Sequence, residues 1–222
     1  TYEQTVNEMT KRYDGYHFSE FLSDGIYNPF SVLNALVQER FSSYWFATGT
    51  PTMLVDMLKK TDYDLRQLDG IEVPAAALTD YRADFHNPVP IIYQSGYLTI
   101  KGYDPIKNFF ILDYPNAEVE YGWLNFITPY YTPLSESIAP FYIGKFWDEL
   151  RAGDVDAFME RLRAFFADIP YELNDRTEQH YQIIFYLVFK LLGQYVEAEV
   201  RSARRRADAV VKTTDYIYVF EF

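Results

Sequence analysis

The residues from Thr177 to Phe222 constrain the fold more than any other stretch. They open with TEQHYQIIFYLVFKLLG, where Ile183, Ile184, Phe185, Leu187, Val188, Phe189, Leu191 and Leu192 place apolar side chains nearly all round a helix. Such a helix is buried on most of its sides. Thr177 is a plausible N-cap, and Gly193 is the C-terminal stop. Three β-rich runs follow: YVEAEVR, RRADAVVK and YIYVFEF. In the first, Val196, Ala198 and Val200 alternate with Tyr195, Glu197, Glu199 and Arg201. In the third, Ile217, Val219 and Glu221 alternate with Tyr216, Tyr218, Phe220 and Phe222. A helix followed by three strands is the expectation.

This stretch carries three carboxylates: Glu178 at the helix start, Asp208 in the second strand and Glu221 in the third. A carboxylate in an otherwise apolar strand needs a partner, because burying an unpaired charge is costly. If Thr214-Asp215 is a two-residue loop, Asp208 sits opposite Glu221. Directly opposite residues have Cβ atoms roughly 5 Å apart. Two carboxylates that close repel unless a proton or a cation lies between them. Mg²⁺, which takes one or two carboxylates plus waters, suits the pair. Such an ion polarises a phosphate and activates a water. Glu178 either completes this acidic set or simply favours the helix dipole. Gln182, four residues on, shares its face.

Composition narrows the function classes. With 222 residues the chain is one large or two small domains, and 49% apolar and 19% aromatic content predicts an ordered core. There is no cysteine, which excludes disulfides and thiolate zinc sites and fits a reducing, cytoplasmic setting. His17, His86 and His180 are too scattered for a His-rich metal site. No apolar run approaches the roughly 20 residues of a membrane span, so no membrane partner is expected. A first residue of Thr and a last strand cut short lead us to expect a fragment of a longer protein.

The net charge is −12, which argues against nonspecific coating of nucleic acid. The charge is uneven, with 10 Lys and Arg against 20 Asp and Glu in residues 1–150, and 10 against 12 in residues 151–222. The one dense basic cluster, Arg201, Arg204, Arg205 and Arg206, lies in the second part. If DNA or RNA binds, it is expected there, with Arg204, Arg205 and Arg206 gripping phosphates. The alternative is a solvated turn.

Upstream, the chain reads as a helical module. Asn28-Pro29 is a helix start, and Val32, Leu33, Leu36 and Val37 follow at helical spacing. Thr50 and Pro51 are expected to open a further helix, and polar residues 61–84 to hold short helices. YLTIKGY and NFFILDY around the turn DPIKN predict a β-hairpin after a short helix at 91–94, an order that a winged-helix-like unit can have. Asn116 caps a helix that the Pro129 and Pro133 region ends. Pro140 is expected to interrupt a helical stretch over 134–147, and Asp154 to cap VDAFMERLRAFFADI. The overall class is α+β. The expected organisation is a helical module over 1–88, a hairpin and helix connection over 89–134, and a final domain over 135–222.

Asp208, then about a dozen residues, then a Glu before the position of a Lys is similar to the PD-(D/E)xK nuclease pattern. The wider stretch EQHYQIIFYLVFKLLGQYVEAEVRSARRRADAVVKTTDYIYVFEF resembles the C-terminal nuclease-like domain of a bacterial and archaeal AAA-ATPase-like family. YDGYHFSE, YNPFSVLNAL and YWFATGTPT resemble the end of that family's ATPase-like domain, and SGYLTIKGYD and YPNAEVEYGWL the segment joining the two. The resemblance implies a truncated restriction-endonuclease-like α/β domain at the C-terminus. It implies that Asp208 and Glu221 hold Mg²⁺ or Mn²⁺, that Glu178 joins them, and that a Lys at position 223, beyond this chain, stabilises charge at the attacked phosphate. The family tends to have Gly-Arg-x-Asp before the acidic strand, where this chain has Arg205-Arg206-Ala207-Asp208. The family's phosphate-binding loop is absent from these residues, so ATP binding by this chain is not expected.

Two functions compete at this level. One is Mg-dependent hydrolysis of nucleic-acid phosphodiesters coupled to an ATPase-like module. The other is a catalytically inactive nuclease-like domain that binds nucleic acid or protein, or regulates. The fragment alone is expected to be inactive. The apolar final strand, without its full cover, carries a tendency to form a homodimer.

Overall fold

The computed structural model describes residues 1–21, 24–48, 51–61, 63–79, 87–132, 134–135, 138–168, 178–193, 197–203 and 206–220. For residues 47–48, 79, 197–203 and 206–208 the description is of the backbone. The chain has the expected α+β class, with helices accompanied by two small antiparallel sheets. It divides into two compact units, Thr1–Trp123 and Leu124–Phe222. Among the described residues no helix is long and apolar enough to cross a membrane.

The first unit opens with helix α1 (Tyr2–Tyr13), started by a capping box in which Thr1 and Gln4 satisfy each other's backbone N–H groups. Helix α2 (Pro29–Gln38) begins where Asn28-Pro29 predicts, with the Asn28 side chain accepting from the N–H groups of Phe30 and Ser31. Its apolar stripe does not behave as expected. Leu33, Leu36 and Val37 are exposed, and the buried positions are Ser31 and Ala35. The small residues are the ones inside because the unit brings Tyr13 and Tyr44 against this helix, with Phe41 packed alongside.

Helix α3 (Thr52–Lys60) follows; Thr50, its expected cap, lies outside the described residues. Residues 61–84 were expected to hold short helices, and the described part has them, a 3₁₀ turn at Leu65–Leu68 and helix α4 (Ala75–Thr79), with an unforeseen strand β1 (Ile71–Pro74) between the two. The strand escapes periodicity because it is four residues long and buries one side chain, Val73. It ends on Pro74 at a sheet edge, where a missing N–H is tolerated.

Helix α5 (Val89–Gln94) leads into the predicted hairpin of β2 (Thr99–Asp104) and β3 (Phe109–Asp113). In the DPIKN turn the Asp104 carboxylate accepts from the N–H groups of Ile106 and Lys107, and Asn108 takes a left-handed conformation. The sheet order is β1-β3-β2. A bulge falls between Ile100 and Gly102, and the Lys101 Nζ donates to the carbonyls of Gly15 (3.0 Å) and Pro115 (2.9 Å). Gly15, at φ +101°, lies so close to the Pro115 carbonyl that a Cβ would sit 2.3 Å from it, which reserves the position for glycine.

Helix α6 (Ala117–Tyr131) is capped by Asn116, whose side chain accepts from Val119 N–H, and it runs past Pro129 to Tyr131. In the second unit, helix α7 (Ala139–Ala152) carries Pro140 in its first turn instead of being interrupted by it, because proline there lacks only an N–H with no intrahelical partner. Helix α8 (Val155–Ala167) carries the expected Asp154 cap and buries Phe158, Leu162 and Phe165. Helix α9 (Glu178–Leu192) is buried on nearly all sides and packs against α7 and the final strands. Those are β4 (Glu197–Ala203), β5 (Arg206–Lys212) and β6 (Ile217–Phe220), in the order β4-β5-β6. The β4–β5 ladder runs from Glu197 paired with Lys212 to Ala203 paired with Arg206.

Candidate functional site

The site residues foreseen from sequence lie on α9, β5 and β6. Glu178 is the first residue of α9 and is exposed. Its Oε1 accepts from Gln182 Nε2 at 3.0 Å, so the two share a face as expected. His180, two residues on from the exposed Glu178, is buried.

Strand β5 buries Ala209 and Val211 completely and leaves Lys212 exposed. Across the hairpin, β6 leaves Ile217 and Val219 exposed at 68% and 65%, with Tyr218 and Phe220 half-buried. The sheet therefore has one covered and one open face. On the covered face, the Phe220 ring lies 4.7 Å from Phe189 of α9 and 5.3 Å from Phe158 of α8. Position 208 has the parity of Val210 and Lys212, the strand positions belonging to the open face.

The register follows the two-residue loop. Lys212 pairs with Ile217, Val211 with Tyr218, Val210 with Val219 and Ala209 with Phe220. The loop is closed by Thr213 N–H donating to the Tyr216 carbonyl at 2.8 Å, with the Thr213 hydroxyl accepting from Tyr216 N–H. The described ladder ends at Ala209 and Phe220. Glu221 lies outside the described residues, as do Arg204 and Arg205; Asp208 and Arg206 are described in backbone. On its other side Asp208 pairs with Arg201 of β4. Sequence reasoning placed Arg201 in the basic cluster but not opposite Asp208. That pairing depends on how β4 is aligned on β5, which the ladder from Glu197–Lys212 to Ala203–Arg206 gives. Among the described residues no group of three or more His, Asp or Glu side chains could hold a metal.

The alternation in the sequence groups Tyr216, Tyr218 and Phe220 on one face, but does not show what that face meets. The three β6-side aromatics on the covered face form a ladder, with ring centroids 5.9 Å apart from Tyr216 to Tyr218 and 6.3 Å from Tyr218 to Phe220. The Tyr218 hydroxyl donates to the Leu150 carbonyl at 2.7 Å. Burial raises the Tyr218 phenol above its ordinary range, so it donates as the neutral hydroxyl.

Among known proteins, the chain is similar to "Uncharacterized protein in vnfD 5′region" of Azotobacter chroococcum mcd 1, with 32% identity over 223 residues. The match covers 97% of this chain and 42% of that protein, so the chain spans less than half the length of this curated relative. No solved structure matches. Residues 176–222 match the PD-(D/E)XK nuclease superfamily, a span that holds α9, the three strands, Glu178, Asp208 and Glu221. The helix and antiparallel sheet at the end of the chain are a PD-(D/E)XK nuclease superfamily domain.

Proposed function

We propose that the protein is a metal-dependent nuclease that hydrolyses nucleic-acid phosphodiester bonds. The observation that carries the reading is the register of β5 on β6. It is the register of the two-residue loop Thr214-Asp215, for which the sequence sets position 208 against position 221. Two carboxylates on adjacent strands form a hard, all-oxygen donor set, which suits Mg²⁺ or Mn²⁺ better than softer ions. Nucleases of this superfamily generally use divalent metals. When bound, such a cation polarises a phosphoryl oxygen and lowers the pKa of a water.

In this reading Asp208 and Glu221 hold the cation, and Glu178 at the start of α9 completes the acidic set. Arg201, opposite Asp208 in the β4–β5 register, supplies positive charge that keeps the carboxylate ionised. Arg204, Arg205 and Arg206 meet phosphates of DNA or RNA, where guanidinium groups bind in bidentate fashion. The exposure of Lys212, Ile217 and Val219 supports access to the face that shares their parity. Coupling to an AAA-ATPase-like module belongs to the same reading and rests on the upstream resemblance.

The test is cleavage of plasmid DNA and of RNA by the full-length protein with Mg²⁺ or Mn²⁺. Asp208→Asn and Glu221→Gln are each expected to lower cleavage by about a thousandfold or more, the scale on which enzymes depend on such electrostatic groups. Undiminished cleavage by both variants overturns the assignment. A second reading, a non-cleaving module that binds nucleic acid or protein, is favoured by Arg205 standing where the family tends to have glycine. Tight binding of the same substrates with no cleavage selects it.

A further inference from the structure

Strand β1 changes what the first unit contains. In chain order, α3, β1, α4, α5, β2 and β3 run helix, strand, helix, helix and hairpin. In the sheet, β1 pairs antiparallel with β3 and not with β2, giving the order β1-β3-β2. That succession and that pairing are those of a winged helix, with α5 at the recognition-helix position and residues 104–108 as the wing. The register places Val73, Ile100 and Leu112 on one face of the sheet, and all three are buried. A fold of this kind does not name its partner; its surface does. Winged helices that read a duplex put the recognition helix into the major groove and bring cations to the phosphates. Here α5, VPIIYQ, has no charged residue and buries Val89 and Ile92. The wing has one cation, Lys107, whose Nζ lies 3.3 Å from Glu72 Oε2 and 3.6 Å from Asp104 Oδ2. Two carboxylates to one ammonium leave that surface negative.

The corner where α5 turns into β2 is occupied by the same chain. Gly96 takes φ +80°, and Tyr97, Leu98 and Thr99 are buried. The turn that follows α1 lies on this corner. The Tyr16 hydroxyl donates to the Gly96 carbonyl (3.3 Å), and His17 N–H donates to Thr99 Oγ1 (2.7 Å). The Thr99 hydroxyl donates in turn to the His17 carbonyl (2.8 Å), and Lys101 Nζ reaches the Gly15 carbonyl. The Trp45 ring closes on Tyr97, with centroids 4.7 Å apart. We propose that residues 52–113 form a winged helix that serves as a protein-docking module: the turn 15–17 of its own chain occupies the helix–strand corner, and nucleic acid does not meet α5 or the wing. The DNA or RNA contacts of the nuclease proposed above then fall to the second unit, whereas the docking itself stands without that reading.

Hydrogen exchange of the full chain, with and without a short DNA duplex or a single-stranded RNA, tests both halves. Thr99→Val removes the hydroxyl that serves both His17 hydrogen bonds and is expected to speed exchange over residues 15–18 about tenfold, the scale of one buried N–H left without its acceptor. Thr99→Ser keeps the hydroxyl and is expected to restore the slow rate. Tyr16→Phe, a milder change that removes only the donor to Gly96, is expected to speed the same segment by a smaller factor. Exchange left unchanged by both Thr99→Val and Tyr16→Phe overturns the docking. Neither nucleic acid is expected to protect residues 89–108, and Lys107→Glu is expected to change affinity for either by less than about twofold. Protection there, or a loss of about tenfold or more in Lys107→Glu, makes the module a nucleic-acid reader and overturns the proposal. If neither probe binds anywhere on the chain, the nuclease reading loses its substrate while the winged-helix assignment holds.

Discussion

The two units solve the same problem, holding loops and strand ends in place, with different chemistry. In the unit Thr1–Trp123 a buried polar clasp is set into an apolar core that includes Leu58, Leu68, Ile92 and Leu112. The buried Glu118 carboxylate accepts from Ser31 Oγ (2.7 Å) and from the N–H groups of Tyr44 (2.6 Å) and Trp45 (3.0 Å). The Thr99 hydroxyl donates to the His17 carbonyl and accepts from its N–H. In the unit Leu124–Phe222 the centre is aromatic. Phe146, Phe158, Phe165 and Phe189 are fully or almost fully buried, and Phe158 lies within 5.2–6.3 Å of Phe146, Phe189 and Phe220. Hydrogen bonds define backbone positions one by one and are costly to break in part. Ring packing holds whole elements and tolerates small shifts.

That contrast can be broken at several points. The largest expected effect is in the aromatic unit: Phe158→Ala removes the ring that three others share and should cost about 4 kcal/mol, read as a lowered midpoint in denaturant. Phe158→Leu should recover most of it. Next comes the polar unit. Glu118→Ala leaves two N–H groups and a hydroxyl without an acceptor and should cost about 3 kcal/mol.

Glu118→Gln keeps an acceptor for both N–H groups and sharpens the comparison through pH. Burial raises the Glu118 carboxyl above its ordinary range, with the hydrogen bonds from Ser31, Trp45 and Tyr44 working in the other direction. The folded state therefore holds the proton more tightly than the unfolded chain. The stability this contributes is present below the ordinary carboxylate pKa and is lost as pH rises through the raised folded value. Relative to Glu118→Gln, the unaltered protein should gain Tm on acidification across that window; a gap that stays constant with pH would contradict the assignment. The smallest effect belongs to the open sheet face, where Ile217→Thr and Val219→Thr should each change stability by no more than about 0.5 kcal/mol.

Local chemistry carried most of what the sequence reveals. Asn28-Pro29, Asn116 and Asp154 announce their helices because a cap is a contact within three residues. The register of β5 on β6 follows for the same reason, since a two-residue loop leaves one way to pair the strands. What the sequence hides is set at a distance. Leu33, Leu36 and Val37 have helical spacing yet face outward, because Tyr13 and Tyr44 decide which side of α2 is inside. Strand β1 exists by pairing with β3, from Ile71 with Leu112 to Pro74 with Phe109, and has no pattern of its own. In the candidate site, Glu178 and Asp208 could be named from the motif. Arg201 and Tyr218 could not, because one depends on the β4 register and the other on the end of α7, 68 residues earlier in the chain.

The Glu118 clasp also has a consequence in time. Ser31 must wait for a partner 87 residues downstream, and the Gly15 carbonyl waits 86 residues for Lys101. During synthesis at about 5–20 residues per second, that interval is on the order of ten seconds. Helices α1 and α2 can form as they emerge, because their caps are local. Asn28 N–H already ties the start of α2 to the Tyr13 carbonyl at 2.7 Å, but the clasp that joins Ser31 to Tyr44 and Trp45 through Glu118 waits until α6 has left the ribosome. The first unit is therefore a late-closing structure: its opening third is exposed to chaperones and proteases for as long as translation takes to reach residue 118.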